Sequence, residues 1–167
     1  SFPKDVEQAA ADLEELTDCR DGRKDLRYVR HVTIDGATAK DFDDAIAVQK
    51  TKNGFRLFVS IADVSHYVRP GSSIDKEAYL RGTSVYLPDL VLPMLPERLS
   101  NNLCSLVPDQ DRPAFTAILE FDRWGRRTRA KFSKSLIRSY QRFTYDTVNE
   151  ILYLRNKEAR RDHKPLL

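Results

Sequence analysis

Residues 33–62 read TIDGATAKDFDDAIAVQKTKNGFRLFVSIA and combine a strand-turn-strand pattern with a concentration of acidic residues. Asn53-Gly54 is a strong signal for a tight β-turn, and apolar residues alternate along the segment that follows it. The pattern predicts a hairpin with strands over 45–49 and 55–62. Just before it, four aspartates lie within ten positions, among residues typical of a strand and a core (Ile34, Phe42, Ile46 and Val48). A group of carboxylates is thus predicted at the start of the hairpin.

The rest of the chain predicts helices and strands joined mostly by short connections. Pro3 precedes apolar residues at helical spacing, which predicts a leading helix, and a surface loop follows over 17–24. The segment PGSS (70–73) offers caps for a short helix that ends near Gly82, and Thr144 suits the start of a final helix that includes Arg155. The other predicted elements are a strand over 83–87, a proline-broken loop over 92–96, a helical turn in PERLSNNLCSL (96–106), and a second hairpin with strands over 113–121 and 128–137. These elements predict an α+β fold with an antiparallel-rich mixed sheet flanked by helices.

Composition limits the class of protein. With 167 residues, of which 41% are hydrophobic and 32% charged, the chain can bury one ordinary core. No apolar run is long enough to span a bilayer and the N-terminus does not resemble a signal peptide, so no membrane partner is expected. Cys19 and Cys104 lie far apart without a Cys-x-x-Cys motif. This cysteine usage predicts a reducing, cytoplasmic location and not a disulfide scaffold.

The charges are unevenly distributed, although the net charge is only +3. The segment 1–18 holds one lysine against six acidic residues, and the segment 120–142 holds eight basic residues against two acidic ones. A basic run of this kind is either a solvated strand face or a track for phosphates. The sequence leaves both readings open.

The four acidic residues, called the aspartate cluster below, are Asp35, Asp41, Asp43 and Asp44. Two carboxylates about 4 Å apart repel by roughly 4 kcal/mol at an effective dielectric constant near 20, and Lys40 can offset only one of them. A divalent cation bound by oxygen atoms would offset more, which favours Mg²⁺ or Mn²⁺ over zinc. Calcium is the second choice of metal, although the stretch lacks the glycine of an EF-hand loop. The structural alternative is an acidic loop satisfied by arginines and backbone amides.

Four blocks, in the same order, resemble the ribonuclease II/ribonuclease R family, whose shared catalytic unit is called the RNB domain. The first block is DGATAKDFDDA (35–45), and the others are VSIADVSHYV (59–68), GSSIDKEAYLRGTSVYLP (71–88) and LPMLPERLSNNLCSL (92–106). Within the family, the blocks look like those of bacterial ribonuclease R. The resemblance implies that residues 1–167 are the N-terminal portion of an RNB catalytic domain, in which 1–24 form a leading helix and loop.

The resemblance also implies an activity. Members of this family are metal-dependent, processive exoribonucleases that degrade single-stranded RNA from its 3′ end to nucleoside 5′-monophosphates. The resemblance puts the aspartate cluster at the family's four acidic active-site positions, which serve a two-metal mechanism. We expect Asp35 and Asp44 to hold the metal at the scissile phosphate, Asp43 to serve a second ion or the attacking water, and Asp41 to support them. Tyr86 matches the family's tyrosine that stacks on a base near the 3′ end.

The expected partners follow from the same resemblance. They are single-stranded RNA, the remainder of the RNB domain, and the cold-shock and S1 modules that flank it in the family. Because the match covers only part of that machinery, a second hypothesis stays open. The chain is then an inactive RNA- or divalent-metal-binding fragment that lacks the second half of the catalytic domain.

Overall fold

The computed structural model describes residues 1–19 and 21–163. This part of the chain contains five helices and eight strands. The helices are α1 (Lys4–Ala11), α2 (Val64–Tyr67), α3 (Ser73–Arg81), α4 (Tyr145–Leu152) and α5 (Lys157–Asp162). The strands are β1 (Lys24–Asp25), β2 (His31–Asp35), β3 (Asp44–Thr51), β4 (Gly54–Ala62), β5 (Val85–Leu87), β6 (Leu90–Leu92), β7 (Asp111–Asp122) and β8 (Arg127–Thr144). A single π-helical turn covers Leu99–Leu103. No helix in this part of the chain is long and apolar enough to cross a membrane.

Six of the strands form one mixed sheet that closes on itself. Its order is β1-β8-β2-β3-β4-β7, and β7 also pairs with β8. Closure is possible because β8 has 18 residues, so that its first part pairs with β7 and its last part with β2. β1 and β2 run parallel to β8 and the other pairs are antiparallel, while β5 and β6 form a separate hairpin. The predicted α+β class with an antiparallel-rich mixed sheet is confirmed.

Strand alternation decides which side chains of this sheet are buried. In β4 the side chains of Phe58, Ser60 and Ala62 are buried, whereas Ile61 is 48% exposed. Val48 in β3 pairs with Leu57 on the exposed side of the sheet and is itself 62% exposed, so its assignment to the core was wrong. One continuous core joins the sheet to α1, to the π-helical turn and to the segment before β2; its members include Val6, Ala10, Leu26, Val29, Phe58, Leu99, Leu103 and Ile137.

Local capping signals predicted several boundaries correctly. The hydroxyl of Ser72 accepts a hydrogen bond from the Asp75 amide at the start of α3, and Gly82 ends that helix with φ 74°. The hydroxyl of Thr144 caps α4 by accepting from the Thr147 amide. Both predicted hairpins are present as well, with turns at 52–53 and 123–126.

Other boundaries differ from the prediction. The proline-broken loop begins later than expected, because Leu90–Leu92 pair with β5 as strand β6. The final helix is interrupted, since α4 ends at Leu152 and Arg155 has a left-handed φ of 50°, after which α5 begins. α1 is also shorter than its apolar spacing suggested and ends at Ala11. These differences lie at element ends, where local signals compete with packing.

The predicted surface loop over 17–24 contains a buried arginine. The side chain of Arg23 is fully buried and donates a 2.7 Å hydrogen bond to the carboxylate of Asp63, which is also nearly buried. A second bond of 2.9 Å reaches Asp21, and weaker ones reach two backbone carbonyls. Arg20, in the same predicted loop, lies outside the described residues. An arginine can be buried here because it is paired with a carboxylate.

A chain of polar side chains crosses the buried face of the sheet. His31 donates from Nδ1 to the carbonyl of Val29 at 3.1 Å, because a carbonyl oxygen can only accept. Burial lowers the pKa of His31 to about 4, so the imidazole is neutral near pH 7. The Nε2 of the neutral ring then accepts from the hydroxyl of Ser60 at 3.0 Å, and hydrogen bonds of 2.7 Å and 2.6 Å continue to Thr116 and Ser135.

Acidification to pH 5 should lower the free energy of unfolding through His31. Its pKa is about 4 in the folded state and about 6.5 when unfolded, so the unfolded chain binds more protons between these values. The contribution of neutral His31 to the free energy of unfolding is complete above pH 6.5 and is lost as the pH falls towards 4. The loss is about 2 kcal/mol at pH 5. Urea unfolding at pH 7 and pH 5 measures this loss.

A histidine control makes that measurement specific. The His31→Gln variant should lose most of its pH dependence in this range, whereas the His66→Gln variant should keep most of it. If His31→Gln loses as much stability between pH 7 and pH 5 as the unmodified chain, the neutral state of His31 is not what sets the pH dependence.

Candidate functional site

The aspartate cluster lies where the loop between β2 and β3 leaves and rejoins the sheet. Asp35 is the last residue of β2 and Asp44 is the first of β3, and these neighbouring strands are antiparallel, so both residues lie at the same end of the sheet. Asp41 and Asp43 lie in the loop between them. The carbonyl of Asp43 accepts a 2.9 Å hydrogen bond from the amide of Ala62, which fixes the loop against β4. The fold therefore gathers all four residues at one end of the sheet.

An arginine from β8 holds the first part of this loop. Arg142 pairs in register with Thr33, and its guanidinium donates hydrogen bonds of 2.7 Å and 2.8 Å to the carbonyls of Gly36 and Ala37. The same guanidinium lies 5.1 Å from the centre of the Phe42 ring. Its hydrogen bonds thus go to the loop backbone and not to a carboxylate, although its charge acts on Asp35.

A buried serine holds the second part of the loop. The hydroxyl of Ser105 donates to the carbonyl of Lys40 at 2.8 Å and accepts from the amide of Phe42 at 3.0 Å. The amide of Leu106 donates to the carbonyl of Phe42 at 2.9 Å. Because Phe42 is buried and both its backbone polar groups are bonded, the residues on either side of it are held near the end of the sheet.

Two of the four carboxyl groups have raised pKa values. Burial, together with the charges of Asp44 and Asp41, raises the pKa of Asp35, and the Thr33 hydroxyl and the Arg142 charge offset only part of that rise. Desolvation and the charges of the other three aspartates raise the pKa of Asp43, although this side chain still reaches solvent. Since Lys40 forms no ion pair with a described residue, the repulsion within the aspartate cluster is not relieved by the nearest lysine.

One oxygen atom of the cluster has no partner. Oδ2 of Asp35 is buried and accepts no hydrogen bond. In residues 1–19 and 21–163, none of the four aspartates forms a salt bridge, which argues against an acidic loop satisfied by arginines. An orphaned, buried carboxylate oxygen beside further carboxylates is a set of donors that suits a hard divalent cation.

The aspartates do not, however, form a closed coordination shell. Within the described part of the chain, no three aspartate, glutamate, histidine or cysteine side chains converge closely enough to hold a metal ion as they stand. One of the four, Asp41, has a hydrogen-bonding partner outside the cluster. The hydroxyl of Tyr86 donates a 2.5 Å hydrogen bond to Oδ2 of Asp41, and this bond raises the pKa of Tyr86.

The same hydrogen bond brings the predicted stacking residue to the aspartates. Tyr86 lies in β5 of the separate β5–β6 hairpin, and it is 63% exposed, so one ring face is accessible. Its neighbours in the hairpin are also exposed apolar residues, namely Val85, Leu87, Leu90, Val91 and Leu92. The fold thus places the predicted carboxylates and the predicted aromatic side by side.

Sequence reasoning missed two residues that position this site. Arg142 belonged to the basic run over 120–142, and nothing in that run distinguished it from its neighbours. Ser105 has no obvious partner base in the sequence, so nothing marked it as a functional residue. Its two hydrogen bonds give it a positioning role. Both roles depend on contacts between residues more than 60 positions apart, so no local signal could have revealed them.

The chain is similar to known proteins over most of its length. The model of the RNB domain matches residues 23–166. The ribonuclease R of Thermotoga maritima is 49% identical over 98% of this chain, and that of Acidithiobacillus ferrooxidans is 56% identical over 78% of it. The solved structure of Mycoplasma genitalium RNase R in complex with ribose-methylated single-stranded RNA superposes on 94% of the chain with a TM-score of 0.87 and 44% identity.

These relatives are much longer than the chain. It spans 23% of the Thermotoga protein, 30% of the Acidithiobacillus protein and 24% of the chain in the Mycoplasma structure. The match nevertheless includes the aspartate cluster, the residues that hold it and Tyr86, all of which lie between residues 23 and 166. The chain therefore belongs to the RNB domain family, among relatives that are ribonuclease R enzymes.

Proposed function

We propose that the chain supplies the metal-binding carboxylates of a 3′-to-5′ exoribonuclease that hydrolyses single-stranded RNA processively to nucleoside 5′-monophosphates. The observation that carries this proposal is the buried, unpartnered Oδ2 of Asp35 within a group of four carboxylates, none of which forms a salt bridge with a described residue. Membership of the RNB family supports RNA phosphodiesters as the bonds that are cleaved.

The residues are assigned the roles that the family resemblance implies. Asp35 and Asp44, at the facing ends of two adjacent strands, would hold Mg²⁺ or Mn²⁺ at the scissile phosphate, and Asp43 would serve a second ion or the attacking water. Asp41 would support them once its bond to Tyr86 is released. When bound, such ions activate water and offset the charge that develops on the phosphate. Arg142 and Ser105 would keep the loop in place.

RNA as the ligand rests on the relatives. The Mycoplasma genitalium RNase R has been solved in complex with single-stranded RNA, and we extend that ligand class to this chain. Tyr86 would stack on a base near the 3′ end, a contact that tolerates any sequence. The remainder of the RNB domain and flanking cold-shock and S1 modules would complete the enzyme, in a cytoplasmic setting.

A second candidate function is an inactive RNA- or metal-binding fragment. It is favoured by the open geometry of the described aspartates. The two candidates differ in one observable. A fragment would bind Mg²⁺ or Mn²⁺ and RNA without hydrolysing the RNA.

The test is an assay on RNA labelled at its 5′ end. A polypeptide of the relatives' length that contains this chain should release nucleoside 5′-monophosphates and shorten the labelled strand from its 3′ end in Mg²⁺ or Mn²⁺, but not in EDTA. DNA of the same sequence should persist. Internal cleavage products, or equal activity in EDTA, would contradict the proposal.

The Tyr86→Ala variant should leave longer end products in the same assay. Loss of one stacking platform costs about 1–3 kcal/mol per base, so short RNA should bind about 5- to 150-fold more weakly. Long RNA, which makes further contacts, should still be degraded but released early. The Tyr86→Phe variant is the matched control, because it keeps the ring and loses only the hydrogen bond to Asp41. A collapsed rate with an unchanged end product in Tyr86→Ala would assign the ring to catalytic geometry instead.

A further inference from the structure

The end of the sheet opposite the aspartate cluster gathers positive charge from two separate segments. Gly54 pairs with Asp122 and Phe55 with Phe121, so the tip of the β3–β4 hairpin lies beside the tip of the β7–β8 hairpin. The approach is close, since a Cβ on Gly54 would lie 2.1 Å from the carbonyl oxygen of Phe121. The two tips therefore form one joined surface. Its basic residues, called the hairpin-tip cluster below, are Lys50, Lys52, Arg123, Arg126, Arg127 and Arg129, and all of them are exposed.

These six charges are unpaired, although two acidic residues lie among them. Asp122 uses one carboxylate oxygen to accept from the amides of Trp124 and Arg126, which builds the turn. Glu120 pairs with Arg56 at 2.9 Å. No member of the hairpin-tip cluster forms an ion pair with any described residue. The six cations lie at one end of four neighbouring strands, β3, β4, β7 and β8, and form no ion pair there with a described residue. Such a surface is complementary to a polyanion.

An exposed aromatic ring accompanies these charges. Trp124 is 72% exposed at the tip of the β7–β8 hairpin, and the guanidinium of Arg123 lies 4.9 Å from its ring centre. Cations that alternate with an exposed aromatic face are the combination that binds single-stranded nucleic acid, in which phosphates meet the cations and a base stacks on the ring. An acidic protein would need the cations but not the ring.

We propose that the hairpin-tip cluster is a second RNA-binding surface, which holds the phosphate backbone of a strand whose 3′ end lies at the aspartate cluster. This proposal rests on the proposed function, since the same RNA occupies both places. β3 runs from Asp44 to Thr51, so the two surfaces are separated by about 23 Å along the strand. RNA of several nucleotides can bridge them, whereas a dinucleotide cannot.

Binding of RNA to the unmodified chain in EDTA tests this surface without any turnover. Trp124 is the only tryptophan, so its fluorescence reports directly on the hairpin-tip cluster. A single-stranded 20-mer should change that fluorescence over the same concentration range in which its own anisotropy rises. Anisotropy that rises while the Trp124 signal stays constant would overturn the proposal.

Charge removal gives the quantitative test. The triple variant Arg126→Ala, Arg127→Ala, Arg129→Ala should bind RNA with a weaker dependence on salt. The magnitude of the slope of log K, where K is the RNA association constant, against the logarithm of the salt concentration should fall by about 2, because each lost phosphate contact lowers it by about 0.7 for single strands. At 0.1 M salt this corresponds to an affinity loss of about 100-fold. Arg126→Ala alone should reduce the slope by about 0.7, which covers the case in which the triple variant folds poorly.

The matched control removes three exposed basic residues from α5. The variant Lys157→Ala, Arg160→Ala, Arg161→Ala has the same net charge as the hairpin-tip variant and should keep the slope of the unmodified chain. Equal slopes in the two triple variants would overturn the proposal, as would a poly-glutamate of matched charge that binds as tightly as RNA. Neither result bears on metal binding or hydrolysis, so failure here is distinct from failure of the proposed function.

Discussion

The Asp43→Asn variant should lose RNA hydrolysis by about three orders of magnitude or more while RNA binding stays largely intact. An amide has nearly the size of the carboxylate but lacks the charge that holds a cation or orients its water. The metal supplies several kcal/mol of stabilisation in reactions of this class, and 4 kcal/mol corresponds to about a thousandfold in rate. The proposed RNA contacts are Tyr86 and basic surface and not Asp43, so binding should change little.

Hydrolysis and binding have to be measured together for this variant. Single-turnover release of nucleoside monophosphates gives the rate, in a polypeptide of the relatives' length, and anisotropy gives the affinity. Asp89→Asn is the matched control, because Asp89 is an exposed acid between β5 and β6, outside the aspartate cluster. Release by Asp43→Asn within a few fold of the control would show that Asp43 does not serve the chemistry.

The Arg23→Ala variant should lower the free energy of unfolding by about 3–5 kcal/mol, which is a large fraction of the stability of a domain of this size. The substitution leaves Asp63 buried with only the hydroxyl of Ser65, at 2.6 Å, as a hydrogen-bonding partner. Burial alone would raise the pKa of Asp63, but the bonds from Ser65 and Arg23 outweigh it and hold the pKa below its usual value.

An exposed ion pair provides the comparison. Arg56 and Glu120 form a pair of similar length, but their side chains are 40% and 34% exposed, so Arg56→Ala should cost at most about 1 kcal/mol. Urea unfolding at pH 7 measures both variants. Similar losses in the two variants would mean that the burial of Arg23 contributes no more to stability than a surface pair.

Much of the local structure could be predicted from the sequence because its causes are local. Asn53-Gly54 signals a turn, which lies one residue earlier at 52–53 because Gly54 already pairs with Thr51. Ser72 and Gly82 mark the ends of α3, and Thr144 starts α4, each through the backbone within four residues. Closure of the sheet could not be predicted. It depends on β8 pairing with β7 at one end and with β2, about 100 residues earlier in the sequence, at the other. In addition, the alternation of apolar residues along a strand does not show which face of the sheet closure will bury.

The same distinction applies to the candidate site. The spacing of the aspartates predicted a shared location, and resemblance to a family suggested their chemistry. The unpartnered oxygen of Asp35 and the bond between Tyr86 and Asp41 are three-dimensional facts that no spacing contains. Arg23 was predicted to lie in a surface loop but is buried. The sequence could not show this, because its partner Asp63 lies 40 residues away.

The most direct measurement is a calorimetric titration of this chain with Mn²⁺ and with Mg²⁺, because the proposed function requires the aspartate cluster to hold a divalent cation. The unmodified chain and its Asp89→Asn control should bind the metal with the same affinity. The Asp35→Asn and Asp44→Asn variants should bind it at least about tenfold more weakly, a difference of about 1.4 kcal/mol or more. Unchanged affinity in both variants, or no saturable binding to the unmodified chain, would contradict the assignment of a metal to these four residues.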